Sequence, residues 1–259
     1  MSAWLQPPGP LRSLRSPVTQ KTEVITDMHN THTTSSAQQV DLTFANRPNL
    51  QALPDGFSIP GTVNACAMFH GCSSLKALPK GFSAPNAVNA YDMFCKCASL
   101  SSLPEGFSIP NVTDALWMFY SCSSLSGLPD GFSCPNVTNV NYMFDGCSSL
   151  SALPDGFSAP NVTNTGRMFY GCSSLSAIGH NVKIANGAGA TDTDYTYMDK
   201  SLITSIGDSF EWFTKVKFSG TWDPSKGIRN VFPNAVSVGP GWRVYDHYDG
   251  EYEAPCQAQ

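Results

Sequence analysis

An α/β solenoid, a coil stack of short parallel strands and short helices, is the fold class this chain predicts. Three observations predict it. A 25-residue unit recurs five times with little change, starting at Leu53, Leu78, Leu103, Leu128 and Leu153. Within each unit, one apolar set is spaced like the face of a short helix. Each unit also meets its successor through a Ser-Leu-x-x-Leu-Pro-like run that suits a very short strand. A fixed period of this length marks an array in which each repeat is one coil and buries its apolar residues against its neighbours. The functional question therefore concerns an extended surface rather than a catalytic pocket.

Taking Leu as position 1, the elements follow in order. Leu at positions 23 and 1 brackets the strand, and Pro at position 2 ends it because proline has no N–H for a ladder. Asp-Gly or its equivalent at positions 3 and 4 makes a turn. Phe at position 5 and Ile or Ala at position 7 return the chain to the core, and Pro at position 8 leads on. Position 12 is Asn64, Asn89, Asp114, Asn139 and Asn164. Such a side chain accepts from an orphan backbone N–H and so predicts a helix N-cap. Position 13, Met at 16, Phe at 17 and Cys at 20 follow the i, i+3, i+4, i+7 spacing of one helix face. Gly71, Gly146 and Gly171 at position 19 suit a left-handed stop. Lys96 and Ser121 stand there in the other units and leave those ends less sharply specified. Stacked strands would pair at roughly 4.8 Å per coil. Each buried Phe, Met or Leu would contribute about 1.5–3 kcal/mol.

Around this array the chain divides as follows. Residues 1–36 read as a flexible tail or linker, with Pro7, Pro8, Pro10 and Pro17 among Ser, Thr, Gln and Arg. No apolar core of the kind a secretory signal needs follows Arg12 and Arg15. Residues 37–52 read as a degenerate first coil and N-terminal cap, since Phe44-Ala-Asn-Arg-Pro-Asn-Leu50 matches Phe69-His-Gly-Cys-Ser-Ser-Leu75. The regular units occupy 53–177. Residues 178–245 read as degenerate repeats and a C-terminal cap. There Ile178-Gly179 replaces Leu-Pro, Met198 to Gly207 repeats the frame at an altered spacing, and Ser209 to Phe213 and Asn230 to Asn234 are decayed coils. Trp242, Tyr245, Tyr248 and Tyr252 are placed to cover the last coil, and 246–259 form a C-terminal tail.

Bulk composition narrows the function. Charged residues are 14% of the chain, hydrophobic residues 41%, and the net charge is −5. This is not the composition of a disordered chain, and it offers no electrostatic case for nucleic acid or anionic membrane. No apolar run is long enough to span a bilayer.

Motifs for chemistry are absent. No nucleophile elbow, phosphate loop, zinc-protease helix or intact dinucleotide fingerprint occurs, and Gly187-Ala-Gly189 is an insertion rather than a cofactor loop. No catalytic residue, cofactor or metal site is therefore expected. Cys72, Cys97, Cys122, Cys147 and Cys172 share position 20 and form one column. Free cysteine behaves as a small core residue, so reduced buried thiols are expected. Disulfides between coils would need tightly matched geometry, and one ligand per coil does not converge on zinc. Cys95-x-Cys97 is too close for a metal clip; Cys66, Cys134 and Cys256 are unexplained singles. His29 and His32 read as solvated tail residues rather than a metal pair. Asn111, Asn136 and Asn161 head glycosylation sequons, yet recur at one phase where turn and cap chemistry explains them. Asp192, Asp194 and Asp199 lack the Gly and terminal Glu of a calcium loop.

The informative variation lies at positions 14, 15 and 18. They read Cys66, Ala67, His70; Tyr91, Asp92, Cys95; Leu116, Trp117, Tyr120; Asn141, Tyr142, Asp145; and Gly166, Arg167, Tyr170. On a helix these face away from the 13/16/17/20 side. Free drift of exposed positions yields Lys, Glu and Ser more often than Trp and Tyr. Aromatic and polar diversity on a rigid frame is instead the chemistry of a binding surface. Tyr91, Trp117, Tyr120, Tyr142 and Tyr170, edged by Asp92, Asp145 and Arg167, are the expected partner-binding strip.

The frame Val-Thr-Asn-x-x-x-Met-Phe-x-Gly-Cys-Ser-Ser-Leu, preceded by Phe-Ser-Ile-Pro or Phe-Ser-Ala-Pro, resembles the BspA-like leucine-rich repeat family of surface proteins. The likeness is close over 53–177 and loose over 40–52 and 178–240. Met-Phe stands here where Ala-Phe is commoner in that family. The resemblance implies a right-handed leucine-rich repeat stack used for adhesion or partner binding, at a microbial surface or secreted. It carries no catalytic residue across. The expectation is a non-enzymatic module presenting a rigid surface to a protein or glycan, without nucleic acid or membrane insertion. Two alternatives stand beside it. One is a structural spacer or display scaffold within a larger surface assembly. The other is an enzyme with a site in the C-terminal third, where His180 and His247 are scattered.

Overall fold

A computed structural model of the protein describes residues 23–24, 44–186, 202–207, 211–214, 232–241 and 243–246. The expectations for His29 and His32, Gly187 to Gly189, Asp192 to Asp199, Trp242, His247, Tyr248, Tyr252, Cys256 and the Tyr245 side chain fall outside these residues.

The repeated frame is paired unit by unit. Isolated parallel bridges join Asn64 to Asn89, Asn89 to Asp114, Asp114 to Asn139 and Asn139 to Asn164. Longer strands are β1 (Glu23–Val24), β2 (Leu50–Ala52), β3 (Ala152–Leu153), β4 (Ser158–Val162), β5 (Ala177–Ile178), β6 (Lys183–Asn186), β7 (Ser205–Ile206), β8 (Glu211–Thr214), β9 (Ser237–Val238) and β10 (Arg243–Asp246). They form parallel sheets in the orders β1-β2, β3-β5-β7-β9 and β4-β6-β8-β10. Glu23–Val24, inside the stretch expected to be a tail, thus pairs with the first degenerate coil. Beyond the regular units the register lengthens: Ala177 pairs with Ser205, and Ser205 with Ser237. Ser205–Ile206 and Glu211–Thr214 belong to one such long unit, Ser237–Val238 and Arg243–Asp246 to the next.

Proline explains why the β3 ladder starts so late. Gly179 N–H donates to the Leu153 carbonyl at 2.8 Å, Gly207 to Ile178 at 2.7 Å and Gly239 to Ile206 at 2.8 Å. In the five regular units the equivalent residue is Pro at position 2, which has no N–H. Pairing there shrinks to single bridges such as Ala77 to Ser102. Glycine at 207 also permits close approach, since a Cβ would sit 2.4 Å from the Gly179 carbonyl carbon.

The short helix expected over positions 12–20 is not formed; among the described residues there is no α-helix. The hydrogen bonds give the reason. In the first regular unit Ala65, Ala67, Phe69 and Gly71 donate to Asn89, Tyr91, Met93 and Cys95 of the next unit, at 2.8–2.9 Å. Only the alternate donors stay local: Met68 to Ala65, His70 to Ala67 and Cys72 to Phe69, at 3.1–3.3 Å. An α-helix needs every N–H for its own i−4 carbonyl. Here half of them point along the stack, so the segment is a ribbon of tight turns. Positions 15 and 19 make that possible by adopting positive φ. Position 15 is Ala67, Asp92, Trp117, Tyr142 and Arg167, with φ from 51° to 62°. Lys96 and Ser121 adopt φ of 61° and 58°, like the glycines at their position, so those ends are as sharply turned as the rest. The position-12 side chains still serve the role foreseen for them, on a turn instead of a helix. Asn64, Asn89, Asp114 and Asn139 each accept through Oδ1 from the N–H two residues on, at 2.8–3.2 Å.

The core is one continuous cluster that holds the position-13, 16, 17 and 20 residues together with Phe, Ile, Ala and Val from positions 5, 7 and 10. Two phenylalanine ladders run through it. Phe44, Phe69, Phe94, Phe119, Phe144 and Phe169 stack near-parallel with centroids 5.2–5.7 Å apart. Phe57, Phe82, Phe107, Phe132 and Phe157 stack at 5.9–6.1 Å. The ladders meet edge-to-face, as Phe107 does with Phe119 at 6.4 Å and 68°. Both geometries are favourable for aromatic quadrupoles. The cysteine column lies alongside, buried and free of disulfides. Each thiol donates to a carbonyl one unit back: Cys97 to Phe69, Cys122 to Phe94, Cys147 to Phe119 and Cys172 to Phe144, at 3.1–3.2 Å. Cys134 is explained too, since it fills position 7, where Ile or Ala stands in the other units, and is fully buried.

Candidate functional site

The position-14, 15 and 18 residues form a row along the turn ribbon, because each unit pairs in phase with the next. Tyr91 and Trp117 have ring centroids 5.6 Å apart, and Trp117 and Tyr142 are 5.9 Å apart, both pairs tilted towards edge-to-face. Arg167 continues the row, with its guanidinium carbon 5.7 Å from the Tyr142 ring centre and 4.2 Å from that of Tyr170. Five of the residues expected in the strip, Tyr91, Trp117, Tyr142, Arg167 and Tyr170, are therefore one continuous aromatic and cationic ridge. Tyr170 is 44% exposed.

Three expectations need correction. The row is half-buried rather than outward-facing, since Tyr91, Trp117, Tyr120, Tyr142 and Arg167 all lie partly covered. Asp145 does not edge the strip: it is 8% exposed. Burial pushes its carboxyl above the ordinary range, with the Arg167 charge opposing. Asp92 is turned aside as well, and its Oδ2 lies 3.1 Å from His70 Nδ1. The turn ribbon causes all three, because a positive φ every fourth residue aims side chains differently from a helix.

That positive φ is the feature sequence reasoning missed. Position 4 is Gly in every regular unit, and position 19 is Gly in three. Position 15 is never Gly, yet it has the same left-handed backbone. An L-residue there costs roughly 1–2 kcal/mol. Trp, Tyr and Arg carry no mark of this conformation, so nothing in the residue types could have disclosed it.

A second face carries a shallow trough lined by Gly61, Val63, Asn86, Val88, Asn111, Thr113 and Asn136. Val63 and Val88 are 46% and 42% exposed there. Its polar groups serve the stack. Asn86, Asn111, Asn136 and Asn161 each donate through Nδ2 to a proline carbonyl of the preceding unit at 2.7 Å. Thr113, Thr138 and Thr163 hydroxyls donate to carbonyls one unit back at 3.1–3.3 Å. The sequon asparagines therefore have an inter-unit role, and the recurrence of Asn-x-Thr in phase was its signal. The strand side is similar: Ser101, Ser126 and Ser151 hydroxyls donate to position-24 carbonyls at 3.1–3.2 Å. Both faces spend their polar atoms on cohesion, which leaves the position-15 row as the chemically varied one. Among the described residues no helix is long and apolar enough to cross a membrane.

The family model described as "Mycoplasma protein of unknown function, DUF285" matches residues 13–131 and 102–201, which together cover well over half of the chain. No curated protein matches it.

Proposed function

We propose that this chain, which belongs to the DUF285 family, is a non-enzymatic binding module whose units stack as a leucine-rich repeat solenoid and whose position-15 row contacts a protein or glycan. The observation that carries the reading is the occupancy of a strained backbone position. Residues held in sparsely populated backbone regions cluster at functional sites. Position 15 holds Trp117, Tyr142 and Arg167 at φ of 54–57° where glycine would cost nothing sterically. Tyr, Trp and Arg are the residues that dominate binding hot spots. Their stacking on one another fixes the rings before any partner arrives, which lowers the entropy lost on binding. Tyr91 and Tyr170 extend the row at either end.

The finer kinship is with BspA-like surface proteins, on the Met-Phe-x-Gly-Cys-Ser-Ser-Leu frame, and a cell-surface or secreted location goes with it. A net charge of −5 argues against nucleic acid as the partner.

The test is a binding screen of the labelled protein against arrayed glycans and extracellular-matrix proteins, repeated with Trp117→Ala and Tyr142→Ala. A ligand of the wild type should lose about 1 kcal/mol or more per residue, roughly fivefold in Kd. Normal binding by the double variant, with loss on changing Ser126 and Ser151, would move the site to the strand side. No ligand for the wild type at all would favour a structural spacer.

A further inference from the structure

The first two regular units bring together three side chains that the binding row does not use. His70 holds position 18 of the first unit, and Cys95 holds position 18 of the second. Phase-matched stacking therefore sets them side by side. Asp92, at position 15 of the second unit, lies between them. The His70 nitrogen, an Asp92 carboxylate oxygen and the Cys95 sulfur all fall within 4.8 Å of one another. His70 Nδ1 and Asp92 Oδ2 are 3.1 Å apart. Asp92 Oδ1 is buried and has no hydrogen-bond partner. A buried carboxylate oxygen without a partner is unfavourable, and a native structure rarely carries one without a reason. Cys95 is 3% exposed, and its side chain hydrogen-bonds to Asp92. A His–Asp pair alone leaves Oδ1 unsatisfied, and the group beside that carboxylate is the Cys95 thiol that hydrogen-bonds to it.

We propose that His70, Asp92 and Cys95 form a three-ligand zinc site that ties the first regular unit to the second. One nitrogen, one thiolate sulfur and one carboxylate oxygen make a donor set that suits zinc, whereas calcium and magnesium require oxygen throughout. A tetrahedral ion with three protein ligands leaves its fourth position to water or to a group from a partner. Zinc displaces the Cys95 proton to solvent as the sulfur–metal bond forms, and the Asp92 carboxylate then ligates the ion in place of the thiol hydrogen. The same pairing occurs nowhere else in the regular units: position 18 is Tyr120, Asp145 and Tyr170 in the other three.

The experiment uses the full chain, reduced and stripped with a chelator, and titrates it with Co²⁺ and Zn²⁺ alone. Cobalt should bind at one equivalent with a thiolate charge-transfer band and tetrahedral d–d absorption, and zinc should bleach both. Cys95→Ser should lose the charge-transfer band. His70→Ala and Asp92→Asn should each weaken binding by about 100-fold or more. Cys134→Ala, at a position where two other units carry Ala, should bind like the wild type. If Cys95→Ser fails to fold, His70→Ala carries the test: zinc should raise the Tm of the wild type and leave that of the variant unchanged. No charge-transfer band with equimolar cobalt, or a band that survives in Cys95→Ser or His70→Ala, overturns the proposal.

Discussion

Replacing Trp117 by alanine and, separately, by glycine isolates the backbone strain from the ring. Both substitutions remove the indole and its ring contacts with Tyr91 at 5.6 Å and Tyr142 at 5.9 Å. Each such pair is worth about 0.5–1.5 kcal/mol, so either variant should lose about 1–3 kcal/mol relative to wild type. The two differ only in the Cβ. At an ordinary extended or helical position, glycine is less stable than alanine by about 0.5–1 kcal/mol. At φ of 57° the sign should invert, because alanine retains the left-handed penalty and glycine does not. The glycine variant should therefore be the more stable, by about 1 kcal/mol, or about 2–4 °C in Tm for a chain of this size. Thermal melts followed by circular dichroism at matched concentration read the difference. A repeat array need not unfold in one step, so the order of the two melting curves matters more than a fitted free energy. If Trp117→Gly melts below Trp117→Ala, the position is not strained, and the main support for the binding row is gone.

Three further outcomes follow from buried groups. At pH 8, a maleimide should label half-buried Cys66 well before the column of Cys97, Cys122, Cys147 and Cys172, and denaturant should equalise them. Burial raises those thiols, with Cys172 and the nearby core thiol Cys134 pushed up to about 12; equal native rates would show that the column is open to solvent. Asp145 has a folded pKa raised by burial, so the native state binds its proton more tightly than the unfolded chain does. That contribution is present below the unfolded value of about 3.9 and is lost as pH rises through the folded value. The stability of wild type relative to Asp145→Asn should thus fall between pH 3 and pH 7, and a constant or rising difference would contradict the assignment. Thr165 stands where the other units have Ala or Val, and its Oγ1 is buried without a partner. Thr165→Val should raise stability by about 1–2 kcal/mol, and a lower Tm would show that the hydroxyl is satisfied.

Much of the molecule was legible as periodicity. Apolar side chains at positions 1, 5, 7, 13, 16, 17, 20 and 23 are read directly from the repeat and pack in the core, where position 10 joins them. Residue type alone also marked three special roles. Glycine at position 4 takes a positive φ, Asx at position 12 accepts from the backbone two residues on, and proline at position 2 stops the ladder. These are properties of a residue and its immediate neighbours, so one unit suffices to show them.

The helix was misread for the same reason. The 13/16/17/20 spacing is a burial pattern, and a ribbon of turns satisfies it as well as an α-helix does. What decides between them is where each N–H finds its acceptor, and for Ala65, Ala67, Phe69 and Gly71 that acceptor belongs to the next unit. The consequences reach the surface. The left-handed backbone under Trp117, the withdrawal of Asp145 into the structure, and the meeting of His70 with Asp92 and Cys95 each depend on two adjacent units in register. The sequence by itself determined the apolar columns of the core and the Asx and Gly turns marked by residue type. Only the tertiary structure decided what the remaining side chains face, because in a stack the backbone hydrogen bonds that orient them are made between units.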